Sequence, residues 1–327
     1  MIEVDNLVKK YGSHVAVDHL SFTVEKGEVI GFLGPNGAGK STTMNIITGY
    51  IPATEGGVKV NGHDINENPK EVKRSIGYLP EIPPLYPDMK VKEYLKFVAD
   101  IKKVEKAKQA KMMEDIMSLT GIKDMEQRLI KNLSKGYKQR VGLAGAIMGY
   151  PEVIILDEPT VGLDPVQIIE IRDLIKDLAK THTVILSSHI LSEVSAVCDK
   201  VMIINKGKLI VSDTPDNLVE RMQNQRGIHL TIKGEREVVE KAFSEIEGIK
   251  DIKWEEEPEE SEMHSLTIYT KETEDLRENI FYKLAKYQCP IMELSMMTMS
   301  LEDIFLEVTK EKIELTPEEC SLEKEEE

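Results

Sequence analysis

Cysteine is scarce in this sequence. The 327 residues include three cysteines, Cys198, Cys289 and Cys320, which are scattered along the chain and odd in number. None of them belongs to a C-x-x-C pair, so the spacing supports neither a metal site nor a disulfide framework that would use all three. We interpret them as reduced thiols without a chemical role.

Long apolar runs and an excess of basic residues are also missing. No stretch approaches the roughly 20 apolar residues that a membrane-spanning helix requires. The N-terminus lacks the basic and then apolar pattern of a secretory signal. The formal net charge of -16 argues against a broad nucleic-acid surface, since phosphate neutralisation needs clustered Lys and Arg. We expect a cytoplasmic protein that binds no nucleic acid and reaches a membrane only through a partner.

Short apolar runs alternate with helix-like stretches over the first two thirds of the chain. We predict strands at Val29–Leu33, Ile76–Leu79, Val153–Leu156, Val184–Ser187 and Val201–Asn205. Several of these runs are almost wholly apolar, as expected for strands that helices cover on both faces. The pattern predicts an α/β core.

Between two of these strands the pattern becomes helical. From Val91 the sequence reads as one long helical stretch that continues past Met112 to Leu119, with Lys and Glu on its exposed faces. We predict a helical insert over about residues 88–150. Its methionines are predicted to fill the core, which is the usual role of this flexible side chain.

The composition changes again near Arg221, and we predict a first domain over residues 1–220 and a second over 225–310. The predicted elements of the second domain are strands at Ile228–Ile232, Ile249–Trp254, Leu266–Tyr269 and Ile291–Ser295, and helices at Arg236–Ile246, Glu274–Tyr287 and Leu301–Val308. Apart from the closing helix, this order is the split βαβ arrangement of a small, ferredoxin-like α+β domain.

Two acidic segments accompany this second domain. Residues Glu255–Glu262 are predicted to form a loop between two of its strands. Residues 311–327 end in Glu-Lys-Glu-Glu-Glu, a composition that predicts a disordered tail.

The run Gly34-Pro35-Asn36-Gly37-Ala38-Gly39-Lys40-Ser41-Thr42 satisfies the phosphate-loop pattern G-x-x-x-x-G-K-[ST]. An apolar predicted strand precedes it and a helix-compatible stretch, Thr42–Thr48, follows it. Glycines let consecutive N–H groups point at phosphate oxygens, and the start of a helix adds a favourable dipole. Lys40 is predicted to reach the β- and γ-phosphates and Ser41 to ligate Mg²⁺, so we expect the chain to bind a nucleoside triphosphate with magnesium.

A second apolar strand ends in two acids, Asp157 and Glu158, and with several other segments it resembles the ATPase subunits of ABC transporters. The resemblance covers Met1 to Thr214 with each major motif in family order. It implies a P-loop NTPase core with an antiparallel β subdomain and a helical insert. In this family Asp157 would hold Mg²⁺, and Glu158 would be the general base that polarises the attacking water.

The segment Leu133–Arg140 resembles the ABC signature, usually written LSGGQ. By resemblance, Ser134, Gly136 and Tyr137 would contact the ATP that a second subunit holds, although Lys135 and Tyr137 depart from the commonest pattern. Ser134 is also a suitable helix N-cap.

Further single residues match other family motifs. His189, after Ser187-Ser188, resembles the switch histidine that contacts the γ-phosphate and orients Glu158. Asp164 ends the run Gly162-Leu163-Asp164, which resembles the D-loop at the subunit interface. Tyr11 resembles the aromatic residue that stacks on adenine, and Val17 is predicted to contact the nucleotide with it.

Glu81 stands where the family usually has a glutamine that touches Mg²⁺ and links the nucleotide to the membrane partner. A carboxylate is also a good magnesium ligand. We therefore predict that Glu81 keeps its metal contact, and that the dependence of activity on Mg²⁺ or pH is altered.

The resemblance implies a working unit and partners. Two copies of the chain, or the chain and a homologue, would close head to tail on two ATP molecules at the cytoplasmic face of a membrane. The insert and the segment Ile82–Tyr86 resemble the surface that grips a separate polytopic permease. The motif variants and the run Leu301–Phe305 resemble the ABC-2, or bacterial exporter, type with a C-terminal accessory domain.

Other interpretations remain at this stage. A soluble ABC-type ATPase that acts on ribosomes usually has two cassettes and basic segments, and a chromosome-structure ATPase has a long coiled-coil insert. This chain has one cassette, an acidic balance and no such insert. A nucleotide-gated regulator without a permease is the main alternative, and the retained Glu158 and His189 argue for hydrolysis instead.

Overall fold

The computed structural model describes residues 1–218, 227–255, 263–270 and 275–297. The pattern of contacts divides the chain into two units, the first containing residues 1–215 and the second beginning at Asp216. The domain limits predicted at residues 220 and 225 fall between 219 and 226, outside the described residues.

The centre of the first unit is a six-stranded sheet. Its strands are β3 (Val29–Leu33), β6 (Ile76–Leu79), β7 (Val153–Leu156), β8 (Thr183–Ser188), β9 (Lys200–Asn205) and β10 (Lys208–Asp213). They lie in the order β10-β9-β3-β8-β7-β6, and β10 alone among them is antiparallel to its neighbour. The carboxyl ends of β3, β8 and β7 therefore meet at one edge, where open α/β sheets bind their ligands.

A second, antiparallel sheet belongs to the same unit. Its strands are β1 (Ile2–Tyr11), β2 (His14–Val24), β4 (Glu55–Val60) and β5 (His63–Asp64), in the order β2-β1-β4-β5. Helices α1 (Lys40–Ile47) and α2 (Pro69–Ser75) share one hydrophobic cluster with both sheets. This common core packs the antiparallel sheet against the central sheet.

Three helices make up most of the insert: α3 (Val91–Ile101), α4 (Lys106–Leu119) and α5 (Lys135–Ile147). The prediction of one long helical stretch from Val91 to Leu119 is wrong, because the helix ends at Ile101 and a new one begins at Lys106. Lys103 has a φ of 57°, a left-handed conformation that ends helices. Lys102 donates from Nζ to the carbonyls of Ala146 at 2.7 Å and Met148 at 2.9 Å, so contacts with α5 stabilise the break.

Two more helices of the first unit begin shortly after predicted site residues, one after Asp164 and one after His189. Helix α6 (Pro165–Ala179) and the short α7 (Leu191–Ser195) both pack against β8, and α7 also packs against β3. In the part of the chain that the structure describes, no helix is long and apolar enough to cross a membrane.

The second unit contains a four-stranded antiparallel sheet with two helices. Its elements are β11 (Gly227–Lys233), α8 (Arg236–Ser244), β12 (Ile249–Trp254), β13 (Met263–Thr270), α9 (Arg277–Lys286) and β14 (Ile291–Met297). The strand order is β12-β13-β11-β14, and apolar residues of both helices form one buried cluster with the sheet. The predicted helix Leu301–Val308, most of the acidic loop and the tail lie outside the described residues.

Candidate nucleotide site at the ends of the central strands

The phosphate loop leaves the carboxyl end of β3 and runs into α1. Gly37 and Gly39 have φ values of +80° and +106°, a region that glycine adopts without steric cost. A Cβ at Gly39 would also lie 2.5 Å from the carbonyl oxygen of Ala16. The loop therefore needs glycine at position 39, and its curl exposes the start of α1, which favours a phosphate ligand.

Lys40, the first residue of α1, is a buried cation with anionic and carbonyl neighbours. Its side chain is 6% exposed, and Nζ donates to the carbonyl oxygen of Gly34 at 2.7 Å. Nζ also lies 3.4 Å from Oε1 of Glu158. A buried charge requires such partners, and here they hold the ammonium beside the loop that is predicted to receive phosphate.

The Asp157 carboxylate, at the end of β7, is fixed by two hydroxyls. Ser41 Oγ donates to Asp157 Oδ1 at 3.1 Å, and Ser187 Oγ donates to the same oxygen at 2.5 Å. Ser187, at the end of β8, also accepts from the backbone N–H of Glu158 at 2.9 Å. Ser187 thus ties the two acidic residues to the neighbouring strand.

The donor set at Ser41 and Asp157 fits magnesium held together with a nucleotide. Mg²⁺ in phosphate sites is bound by one or two carboxylates and by substrate phosphates, not by a cage of protein ligands alone. Within the described residues, no group of three or more His, Cys, Asp or Glu side chains could hold a metal by itself. The oxygens of Ser41 and Asp157 therefore suit Mg²⁺ that ATP brings with it.

Glu158 and His189 form a second pair beside Lys40. His189 Nδ1 lies 2.9 Å from Glu158 Oε2, and because a carboxylate only accepts, Nδ1 carries the proton and donates it. Glu158 adopts a φ of 47°, a costly conformation for a residue with a side chain. Its side chain is 8% exposed, whereas that of His189 is 44% exposed. The imidazole therefore lies between a buried carboxylate and the open cavity.

Tyr78, on the adjacent strand β6, lies near the Asp157 carboxylate. Burial, with an added contribution from the charge of Asp157, raises the pKa of Tyr78. The phenol therefore stays protonated, and it donates to Oδ1 of Asn45 at 3.1 Å. This bond connects the end of the central sheet to α1.

Lys40, Ser41, Glu158 and His189 line a cavity of about 470 Å³, and Asp157 lies behind Ser41, outside the lining. The cavity brings together eleven of the predicted site residues: Tyr11, Asn36, Gly37, Ala38, Gly39, Lys40, Ser41, Thr42, Glu81, Glu158 and His189. We call Lys40, Ser41, Asp157, Glu158 and His189 the strand-end cluster. The Tyr11 ring is half exposed, with Lys9 Nζ 5.2 Å from its centroid.

Three residues that were not predicted from the sequence also line the cavity: His14, Ala16 and Val161. His14 could have been predicted, because it follows Tyr11 across the turn between β1 and β2. Val17, predicted to contact the nucleotide, is fully buried in the hydrophobic core and does not line the cavity. Its neighbour Ala16 lines the cavity instead.

Gly34 lies at the base of the loop and does not line the cavity either. A Cβ at Gly34 would lie 2.4 Å from the carbonyl oxygen of Ile204 on β9. Its own carbonyl accepts the bond from Lys40 described above. Gly34 therefore allows close packing of the loop on the sheet and orients the lysine.

The signature segment, Leu133–Arg140, lies outside this cavity. Ser134 is exposed and caps α5, accepting from the N–H of Tyr137 at 3.4 Å. A Cβ at Gly136 would lie 2.4 Å from Oε1 of Gln167 on α6. Asp164 caps α6 by accepting from the N–H of Gln167 at 2.9 Å. The signature segment and the segment around Asp164 therefore pack against each other.

Arg140 extends this contact along the two helices. Its guanidinium forms an ion pair with Glu170 on α6 and donates to the carbonyl oxygen of Thr120 at 3.2 Å. The signature segment is thus anchored to α6, while Ser134, Gly136, Tyr137 and Asp164 remain apart from the cavity lining.

Comparison with known proteins identifies the family. Residues 17–161 match the family model described as ABC transporter. The chain is 41% identical over 223 residues to the bacitracin transport ATP-binding protein BcrA of Bacillus licheniformis. The aligned residues cover 68% of this chain and 72% of that protein. It is 31% identical over 310 residues to the linearmycin resistance ATP-binding protein LnrL of Bacillus subtilis, covering 94% of this chain and 98% of the relative.

Solved structures show the same fold. The structure of an ATP-binding subunit of an ABC transporter superposes with a TM-score of 0.63 at 28% identity, covering 68% of this chain and 93% of that one. A dimeric ATP-binding cassette, MJ0796, bound to ADP and phosphate matches in fold with a TM-score of 0.61 at 24% identity, covering 65% of this chain and 98% of that chain. This protein belongs to the ATP-binding subunits of ABC transporters, and it binds ATP with Mg²⁺ and hydrolyses it.

Proposed function

We propose that this chain closes head to tail with a second ATPase subunit on two ATP molecules, and that closing and opening drive a membrane permease. One observation carries the proposal. Four members of the strand-end cluster, Lys40, Ser41, Glu158 and His189, line the cavity. Ser134, Gly136 and Asp164 lie outside it, at the starts of α5 and α6. A second copy would supply the missing contacts to the nucleotide.

Within one subunit we assign the binding and hydrolytic steps to the strand-end cluster. Lys40 and the loop N–H groups bind the phosphates. Ser41 and Asp157 would hold Mg²⁺, which would neutralise phosphate charge. Water attacks the γ-phosphorus as Glu158 accepts its proton, and the products are ADP and phosphate. His189, which donates to Glu158 at 2.9 Å, orients the carboxylate and contacts the γ-phosphate.

Between subunits, bound ATP stabilises the closed pair. Its phosphates gain the Ser134 hydroxyl and the Gly136 N–H of the second subunit only when the pair is closed. Hydrolysis and loss of phosphate remove these contacts, so the closed state loses its advantage and the pair opens. Packing of the signature segment on α6 would let this movement reach the whole helical insert.

We assign the permease contact to a second cavity of the first unit, of about 450 Å³. Tyr50 on one side and Tyr94 and Gly145 of the insert on the other line this cavity. Tyr50 is 78% exposed, and Pro84, from the predicted contact segment Ile82–Tyr86, also lines this cavity. Exposed apolar and aromatic side chains beside a concave surface favour binding of a protein segment.

The partner we propose is a polytopic permease of the ABC-2 type, which would hold the chain at the cytoplasmic face of the membrane. Export is the direction that the relatives favour, because one is described as a bacitracin transport protein and another as a linearmycin resistance protein.

Co-purification from native membranes tests this proposal. The tagged chain is expected to elute with a polytopic protein, and Tyr50→Ala is expected to reduce its recovery. Tyr150→Ala is the matched control, since Tyr150 is 47% exposed but does not line the cavity. Isolation of the chain without a polytopic partner would support the regulator without a permease. Equal recovery with both variants would contradict the assignment of this cavity.

A further inference from the structure

A buried carboxylate lies behind the strand-end cluster and has no place in the steps described so far. Glu193 belongs to the short helix α7 and is 5% exposed. Two hydroxyls donate to its Oε2, from Thr160 Oγ1 at 2.5 Å and from Ser188 Oγ at 3.1 Å. A carboxylate is tolerated in the interior only when such donors replace water.

The two hydroxyls come from the two segments that carry the reacting groups. Thr160 lies two residues after Glu158, and Ser188 directly precedes His189. Ser188 Oγ also accepts from the N–H of Ile190 at 3.0 Å, so the same hydroxyl shapes the chain on the far side of His189. One carboxylate oxygen therefore links the segment after β7 to the segment after β8.

The geometry of Glu158 needs such a link. Its φ of 47° persists only where the surroundings over-determine the backbone. Ser187 holds it from one side by accepting the Glu158 N–H at 2.9 Å. Thr160 is 6% exposed and Ser188 is 1% exposed, so loss of the carboxylate would leave two buried hydroxyls without this acceptor and free both segments to shift.

We propose that Glu193 is a positioning residue, which holds the Glu158 carboxylate and the His189 imidazole at hydrogen-bonding distance through Thr160 and Ser188. This inference rests on the proposed roles of Glu158 and His189 in hydrolysis. Glu193 itself does not line the cavity, so it acts on the rate of the chemical step and not on ATP binding.

Steady-state ATPase measurements on the purified full chain test the inference. Glu193→Leu, which removes the acceptor, is expected to lower kcat about tenfold with KM for ATP unchanged, as small misplacements of reacting groups do. Glu193→Gln keeps an oxygen that accepts hydrogen bonds and is expected to retain most of the rate. Thr160→Val is expected to act like Glu193→Leu, and Thr160→Ser, which restores the hydroxyl, is expected to recover the rate.

Val194→Ala is the matched control for loosening of α7. Val194 lies on the same helix and packs against Gly31 of β3, where an added Cβ would be 1.9 Å from its Cγ1. This variant is expected to lower the melting temperature measurably, as Glu193→Leu does, while keeping kcat near that of the parent. Equal losses of kcat in both variants would overturn the positioning role, because they would indicate general destabilisation.

A double-mutant cycle with His189→Ala gives the sharpest readout. If Glu193 acts through the Glu158–His189 pair, Glu193→Leu will change kcat by less than about twofold in the His189→Ala background, because coupled residues are not additive. A full tenfold loss in both backgrounds would overturn the inference. Failure of the proposed roles would look different, since Glu158→Gln and His189→Ala would then keep normal turnover.

Discussion

The strand-end cluster and the signature segment are both predicted to contact ATP, yet they are built in opposite ways. In the cluster, the side chains of Lys40 and Glu158 are 6% and 8% exposed and form an ion pair with each other. In the signature segment, Ser134 is exposed, and its side chain bonds only to its own helix among the contacts described above. The fold of one subunit holds the groups that contact its own ATP in position. Groups that contact the ATP of a second subunit need only be exposed at the surface.

The difference between the two regions also shows how they communicate. The signature segment is fixed to α6 by Gly136 against Gln167 and by the Arg140–Glu170 pair. Helix α6 begins at Pro165, a few residues after Glu158. Movement of the signature segment would therefore reach the turn that carries the general base.

Removal of the general base is the largest expected effect. Glu158→Gln is expected to lower turnover at least about a hundredfold, since general-base catalysis contributes that much or more, while ATP still binds to the intact phosphate loop. Steady-state ATPase assays and titration with a fluorescent ATP analogue measure the two quantities. Glu105→Gln, which changes an exposed carboxylate paired with Lys108 on the insert, serves as control and keeps parental turnover.

A negative charge introduced at Ser134 separates its role as N-cap of α5 from its proposed contact with the ATP of the second subunit. Ser134→Asp retains a good N-cap for α5, so the melting temperature is expected to change little. The new carboxylate would face the phosphates of the second subunit, and turnover is expected to fall at least about tenfold because like charges repel across an interface. ATP binding to the monomer is unaffected. Parental turnover in this variant would break the comparison, because the signature segment would then contact no nucleotide.

Replacement of Glu81 is expected to have a smaller effect. Its carboxylate lines the ATP cavity and also a smaller hollow next to Lys135 and Lys138. In Glu81→Gln we expect half-maximal activity to require severalfold more Mg²⁺, because one anionic ligand is lost. Magnesium titrations of ATPase activity at two pH values measure this change. Unaltered Mg²⁺ and pH dependence would exclude a metal contact for Glu81.

Lys102, which links the end of α3 to the end of α5, is expected to make the free energy of unfolding depend on pH. Burial lowers the pKa of Lys102 to about 8, below its unfolded value of about 10.4. Between these two pKa values the unfolded chain binds more protons than the folded chain, so this residue makes stability rise with pH through the window. Urea unfolding at pH 7.5 and 9.5 is expected to show a gain of about 1 to 2 kcal/mol in the parent relative to Lys102→Met. The same pH response in both proteins would contradict this assignment.

The parts of the site that follow from local sequence were predictable, and those that depend on tertiary contacts were not. The phosphate loop and the strands ending at Leu33 and Leu156 follow from apolar runs and glycine spacing. The cavity wall at Ala16 depends on register shifts between β1 and β2, which alternation alone does not reveal. Likewise, Glu193 reads as a surface charge, and only its burial beside Thr160 and Ser188 distinguishes it.

The mass of Glu158→Gln in solution with Mg²⁺ and ATP tests the central claim, that one chain carries half of each ATP site. With hydrolysis blocked, the account predicts a particle of twice the 37.0 kDa chain mass that appears with ATP and not with ADP. Addition of Ser134→Asp to the same chain is predicted to return the mass to that of one chain. A single-chain mass at saturating ATP, or a dimer that forms equally well with ADP or with Ser134→Asp, would contradict the account.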